Sequence, residues 1–118
     1  MSFGTQISVV SGDSVLKQGR ITVIKGPSVG SSFTLDSIYT AIVGRMSKRC
    51  DLVITSGQVS KIHCAIKYSD RYHRFIVTDC SANGTFVNGK RLPKNIGVLM
   101  ESGTVLMLAN SENQIELI

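Results

Sequence analysis

Thr85-Phe86-Val87-Asn88-Gly89-Lys90-Arg91-Leu92 decides how the rest of this chain is read. Two short β-prone runs flank Asn88-Gly89, the residue pair that most readily takes the two left-handed conformations a two-residue hairpin turn requires. The pattern continues outward in both directions. Upstream, residues 20–25, 32–35, 40–43, 52–54, 63–68 and 74–79 are short runs rich in β-branched or aromatic residues. Downstream, 105–108 and 114–118 close the chain. Turn residues punctuate the runs, with Gly26-Pro27, Asp36-Ser37 and Asn110-Ser111-Glu112-Asn113 the clearest. No stretch sustains a 3.6-residue apolar period over three turns. About ten strands at spacings of ~8–12 residues predict an all-β sandwich or barrel. Residues 1–18, Ser- and Gly-rich with a small apolar patch at Ile7, Val9 and Val10, read as an N-terminal arm or an extra edge strand. Residues 19–118 read as one β domain.

The chain has 118 residues, long enough for one domain with its own core. Charged residues make up only 18%, which excludes a charge-rich disordered segment or a coiled coil. No apolar run approaches the ~18 residues of a spanning helix, so no membrane partner is expected. Met1 to Val10 has no basic start followed by an apolar run, and does not read as a signal peptide. Cys50, Cys64 and Cys80 are odd in number and lack CxxC spacing. That favours reduced, semi-buried thiols in an intracellular, reducing compartment over disulfides or a metal site.

The net charge of +5 is unevenly spread. Residues 44–94 hold ten of the thirteen Lys and Arg against three of the eight acids, a surplus of +7, and the remainder carries −2. Such clustering favours an anionic partner, nucleic acid or a phosphorylated ligand, over a merely solvated basic face.

A phosphorylated side chain brings about −1.5 to −2 charge and three acceptor oxygens. Its best partner is a guanidinium, which is planar, always charged and able to engage two oxygens. A small hydroxyl reaches a third oxygen, and a Lys adds a point charge. On a β-sandwich such donors belong on loops at one end of the scaffold. Gly44-Arg45 ends a strand, which puts Arg45 at the rim and gives Gly44 freedom for an unusual backbone angle. Ser60 and Lys61 precede the strand that His63 opens, and Asn83 precedes the hairpin with both acceptor and donors to offer a passing peptide backbone. Lys48 and Arg49 follow closely enough to act as secondary cations.

Gly44-Arg45, Ser60-x-x-His63 and Asn83-Gly84-Thr85-Phe86-Val87-Asn88-Gly89, in this order and spacing, resemble the forkhead-associated (FHA) domain. The similarity runs from about Ile21 to Ile118, and Ser60-Lys61-x-His63 with Asp79-Cys80-Ser81-Ala82-Asn83-Gly84-Thr85 is nearest the eukaryotic checkpoint-kinase type. The resemblance implies a twisted two-sheet β-sandwich of eleven strands with its ligand loops at one end. It implies a non-enzymatic module that binds phosphothreonine in partner proteins. The family is itself a standard instance of phosphomotif reading by Arg, so this class of mechanism is inherited from the resemblance. By match to the motifs, Arg45 and Ser60 hold the phosphate, Lys61 adds charge, and Asn83 bonds the peptide main chain. His63 braces the loop that carries Ser60, while Gly44, Gly84, Asn88 and Gly89 serve backbone geometry. The resemblance also implies nuclear residence.

Two residues depart from the family pattern. Gln58 stands where some members place an Arg that selects a downstream acidic residue, and Ala82 replaces a common Thr or Ser. Selectivity is expected in residues 94–102 and 110–113. No cofactor, metal or catalytic set is expected: Gly26-Pro27-Ser28-Val29-Gly30-Ser31-Ser32 lacks P-loop spacing, and no kinase signature is present. Two rival readings remain, the first of which keeps the fold. One is a phosphate-independent scaffolding or oligomerisation module, since fold alone does not dictate function. The other is a nucleic-acid-binding β-domain, disfavoured because few aromatics (Tyr68, Tyr72, Phe75, Phe86) interleave the basic stretch.

Overall fold

A computed structural model describes residues 18–118, and the predicted arm at 1–18 lies almost wholly outside the described residues. Eleven strands alternate with turns: β1 (Gly19–Lys25), β2 (Ser32–Leu35), β3 (Thr40–Gly44), β4 (Leu52–Val53), β5 (Cys64–Ser69), β6 (Arg74–Asp79), β7 (Thr85–Val87), β8 (Lys90–Arg91), β9 (Gly97–Met100), β10 (Val105–Leu108) and β11 (Gln114–Leu117). They form a six-stranded sheet in the order β8-β7-β10-β11-β1-β2 and a five-stranded sheet in the order β9-β6-β5-β3-β4. The sandwich class read from the alternating runs is the architecture found.

Period-2 patterning explains the layering. In β5, Cys64, Ile66 and Tyr68 are buried while Lys67 between them is exposed. In β6, Phe75 and Val77 face the same interior. The opposing sheet contributes Ile21, Val23, Leu106, Leu108, Ile115 and Leu117, each at most 1% exposed. Side chains alternating across the pleat thus put one apolar face of each sheet against the other. Tyr68 and Phe75 add an edge-to-face pair, with centroids 5.1 Å apart.

Asn88-Gly89 behaves as its composition predicts. Val87 pairs with Lys90, and the two turn residues take φ of 50° and 78°. Residues 94–102, expected as a selectivity loop, contain strand β9, which pairs with β6 along its whole length. Its Val98-Leu99-Met100 run does not alternate in hydropathy, and it borders the sheet on one side only, so local pattern did not mark it.

Antiparallel pairing gathers particular strand ends. Val43 pairs with Cys64, Cys64 with Asp79, Leu108 with Thr85, and Gln114 with Lys25. The segments that leave those ends (26–31, 45–51, 54–63, 80–84 and 109–113) therefore crowd one end of the sandwich. Phe75, fully buried beneath both sheets, tests the core: Phe75→Ala should cost about 3–5 kcal/mol, read as a lower urea midpoint with the fold retained.

Candidate functional site

Arg45 is the first residue beyond β3, and two bonds aim it. Its backbone N–H donates to the Ser60 carbonyl and its Nε–H to the Val59 carbonyl, each at 3.0 Å. The Nε bond fixes the plane of the guanidinium, and the two terminal nitrogens have no partner among the described residues. Gly44 makes this junction possible for a reason other than the one its sequence suggested. Its φ is not left-handed. A Cβ there would instead collide with the Lys61 carbonyl, lying 2.9 Å from the carbonyl carbon and 3.0 Å from the His63 nitrogen. Close approach of two backbones, not an unusual angle, demands glycine.

Ser60 and Lys61 lie beside Arg45 through this approach. The Ser60 hydroxyl accepts the Ala82 N–H at 3.0 Å, which leaves its own proton free to donate outward. Asn83 is exposed, and its amide donates one N–H to the Gln58 carbonyl at 2.8 Å. Its carbonyl oxygen and second N–H stay available for an extended chain. Arg45, Ser60, Lys61 and Asn83 are thus brought to one rim. Lys48 and Arg49 occupy the adjoining turn, closed by the Arg49 and Cys50 N–H groups on the Met46 carbonyl, both at 3.0 Å. Asn88 and Gly89 sit at the hairpin tip, away from these loops.

Beneath the rim lies His63, fully buried. Its Nδ1 accepts the Ser60 N–H at 3.1 Å, so that nitrogen carries no proton. Nε2 therefore bears the proton and donates it to the Gly84 carbonyl at 2.8 Å. The ring joins the Ser60 loop to the Asn83-Gly84 loop. Gly84 has φ +98°, and its carbonyl also accepts the Ala109 N–H at 2.9 Å. Burial holds the His63 pKa below its ordinary 6.5, only partly offset by the Gly84 bond and the Asp79 charge.

Two supports were missed in the sequence. Asp79, fully buried, accepts from Ser81 N (3.2 Å), Ser81 Oγ (2.6 Å) and Thr85 Oγ1 (2.7 Å). Ser81 Oγ in turn accepts the Gly84 N–H at 2.8 Å, so one carboxylate oxygen organises the turn that presents Asn83. The D-x-S-x-N-G-T spacing carried that signal, because short polar side chains two to six residues apart can close such a turn. Arg91 belongs to none of the matched motifs, yet its Nη2 donates to the Ala82 carbonyl at 3.0 Å. Only the hairpin register, which sets Arg91 opposite Phe86, brings it there.

Burial pushes all three cysteine thiols up, Cys64 most strongly. All three are unpaired.

The sequence matches the FHA domain family over residues 41–109. It is 36% identical over 80 residues to the meiosis-specific serine/threonine-protein kinase MEK1 of Saccharomyces cerevisiae, covering 63% of this chain but 16% of the kinase. The chain thus spans a small part of the length of that relative. The FHA domain of the CT664 protein from Chlamydia trachomatis shares the fold, with a TM-score of 0.75 at 23% identity over 86% of this chain and 97% of that one. The MEK1 FHA domain in complex with a HOP1 phosphothreonine peptide gives a TM-score of 0.70 at 26% identity, over 85% of this chain and 94% of that one.

His63 generates a test with a definite sign. Because its folded pKa is depressed, the unfolded chain binds more protons as pH falls below 6.5, so this residue makes stability decline toward acid. His63→Gln should lower the urea midpoint at about pH 7.5 and should shrink the loss on going to about pH 5.5. An unchanged pH slope in the variant refutes the buried neutral imidazole.

Proposed function

The chain belongs to the FHA domain family, and on that premise we propose that it binds phosphothreonine in partner proteins and so joins proteins in response to phosphorylation. The observation that carries this reading is the aimed guanidinium. Arg45 is held through Nε with its terminal N–H groups unpartnered among the described residues, and the Ser60 hydroxyl of the loop it binds keeps a proton to donate. Two parallel donors and one hydroxyl suit three phosphate oxygens, and Lys61 supplies a further positive charge. Asn83 holds the peptide main chain next to the phosphothreonine. The bound peptide in the MEK1 FHA complex supports the same class of ligand.

His63, Gly44, Gly84, Asp79 and Ser81 act indirectly in this reading, by keeping the donors in place. Asn88 and Gly89 hold the hairpin from which Arg91 reaches back. A binding role rather than catalysis is the reading that the donors Arg45, Ser60, Lys61 and Asn83 support. Residues 19–118 form the binding module, and an intracellular setting, where Ser/Thr phosphorylation operates, fits it.

The test is a titration with one peptide in three forms, carrying phosphothreonine, phosphoserine or unmodified threonine. Phosphothreonine should bind most tightly and the unmodified form least; equal binding to all three refutes the reading. Arg45→Ala removes two charge-assisted bonds and should weaken phosphopeptide binding by about 100-fold. Its thermal midpoint should stay near that of the parent, since the group lies at the surface.

A further inference from the structure

One phosphate does not balance the charge gathered at this rim. With Arg45 and Lys61 facing it, a phosphate of about −1.5 to −2 is already neutralised. Three more exposed cations stand around the same loops, Lys48, Arg49 and Arg91. Among the described residues the ion pairs are Lys25–Glu112 and Arg74–Glu101, and neither involves these three. Asp51 and Asp79 are the acids that border these loops, and neither makes an ion pair with the three cations. Asp51 accepts from Tyr39 Oη and the Ile42 N–H, both at 2.8 Å. Asp79 is buried under Ser81 and Thr85.

Lys48 and Arg49 are also fastened to the ligand loop. The Met46 N–H and the Cys50 thiol both donate to the Lys61 carbonyl, each at 3.2 Å. The turn that carries the two cations is therefore tied to the loop at Lys61, whereas Asn83 is tied to it at Gln58, with the Arg45 bonds to Val59 and Ser60 between them. Gln58, the position where an acid-selecting Arg is absent, has its carbonyl bound by Asn83.

We propose that the Met46–Cys50 turn is a second anion subsite, in which Lys48 and Arg49 receive a carboxylate or a second phosphate flanking the phosphothreonine. The inference rests on the phosphothreonine reading and narrows it, making the ligand class acidic or multiply phosphorylated peptides. Both cations are exposed, so the contribution is screened by salt and is largest when the Debye length exceeds the spacing of the groups.

Affinities are measured for three single-phosphothreonine peptides and one doubly phosphorylated peptide. The single-site set carries neutral flanks, acidic residues before the phosphothreonine, or acidic residues after it. Proteins are the parent chain, the Lys48→Gln/Arg49→Gln double variant and Arg45→Ala, at about 0.05 M and about 0.5 M salt. The expected result is a gain of about fivefold or more for at least one flanking anion over neutral flanks at low salt. That ratio should fall toward one in the double variant and at high salt. A gain from the acidic peptides assigns the subsite to carboxylates, and a gain confined to the doubly phosphorylated peptide assigns it to phosphate. If the parent binds the neutral-flank peptide in an Arg45-dependent way but shows no gain, or the gain survives in the double variant, the subsite is refuted while the phosphothreonine reading stands. If no phosphopeptide binds the parent, or Arg45→Ala binds as well as the parent, both fail.

Discussion

Everything at the binding end hangs on one buried imidazole. His63 accepts a hydrogen bond from the Ser60 N–H on one side and donates one to the Gly84 carbonyl on the other. It therefore locks the Ser60 loop to Gly84, which lies 21 residues beyond His63 in sequence. Gly84 extends the lock, because its carbonyl also receives the Ala109 N–H from the segment after β10 in the other sheet. A buried polar group of this kind must be satisfied at both nitrogens, and here both partners are backbone groups that need pairing themselves. Uncharged, the ring also adds no repulsion beneath a rim that is already positive.

Above that lock the charges divide by position. Arg45 is oriented by its Nε bond, and Arg91 reaches across from the hairpin to the carbonyl beside Asn83. Lys48 and Arg49 ride on a turn tied to Lys61. Lys67, Arg71, Arg74 and Lys90 lie on strands or distant turns and supply general field only, with Arg74 already paired to Glu101. The basic segment seen in the composition is therefore a few directed cations in a larger background.

The sandwich was legible because alternation in β1, β5 and β6 and the Asn88-Gly89 turn are local signals. Strand β9 was not, since its existence depends on a partner about twenty residues earlier and its apolar residues run together. At the site, Arg45, Ser60, Lys61 and Asn83 stand in motif positions that can be read along the chain. The roles of Asp79 and Ser81 needed the turn to be closed, and that of Arg91 needed the hairpin register. Gly44 shows the same division in one residue. Its importance was visible, but its cause, a backbone crossing at van der Waals range, exists only after folding.

That crossing has a consequence for timing. With Gly44 pressed against the Lys61–His63 backbone and the loops tied by main-chain bonds, the donor groups are already placed before a ligand arrives. Such fixed backbone contacts leave less ordering for association to complete, which favours encounter by diffusion and charge attraction over a conformational step. On the phosphothreonine reading proposed above, the lifetime of the complex is then set by the enzymes that add and remove the phosphate on the partner.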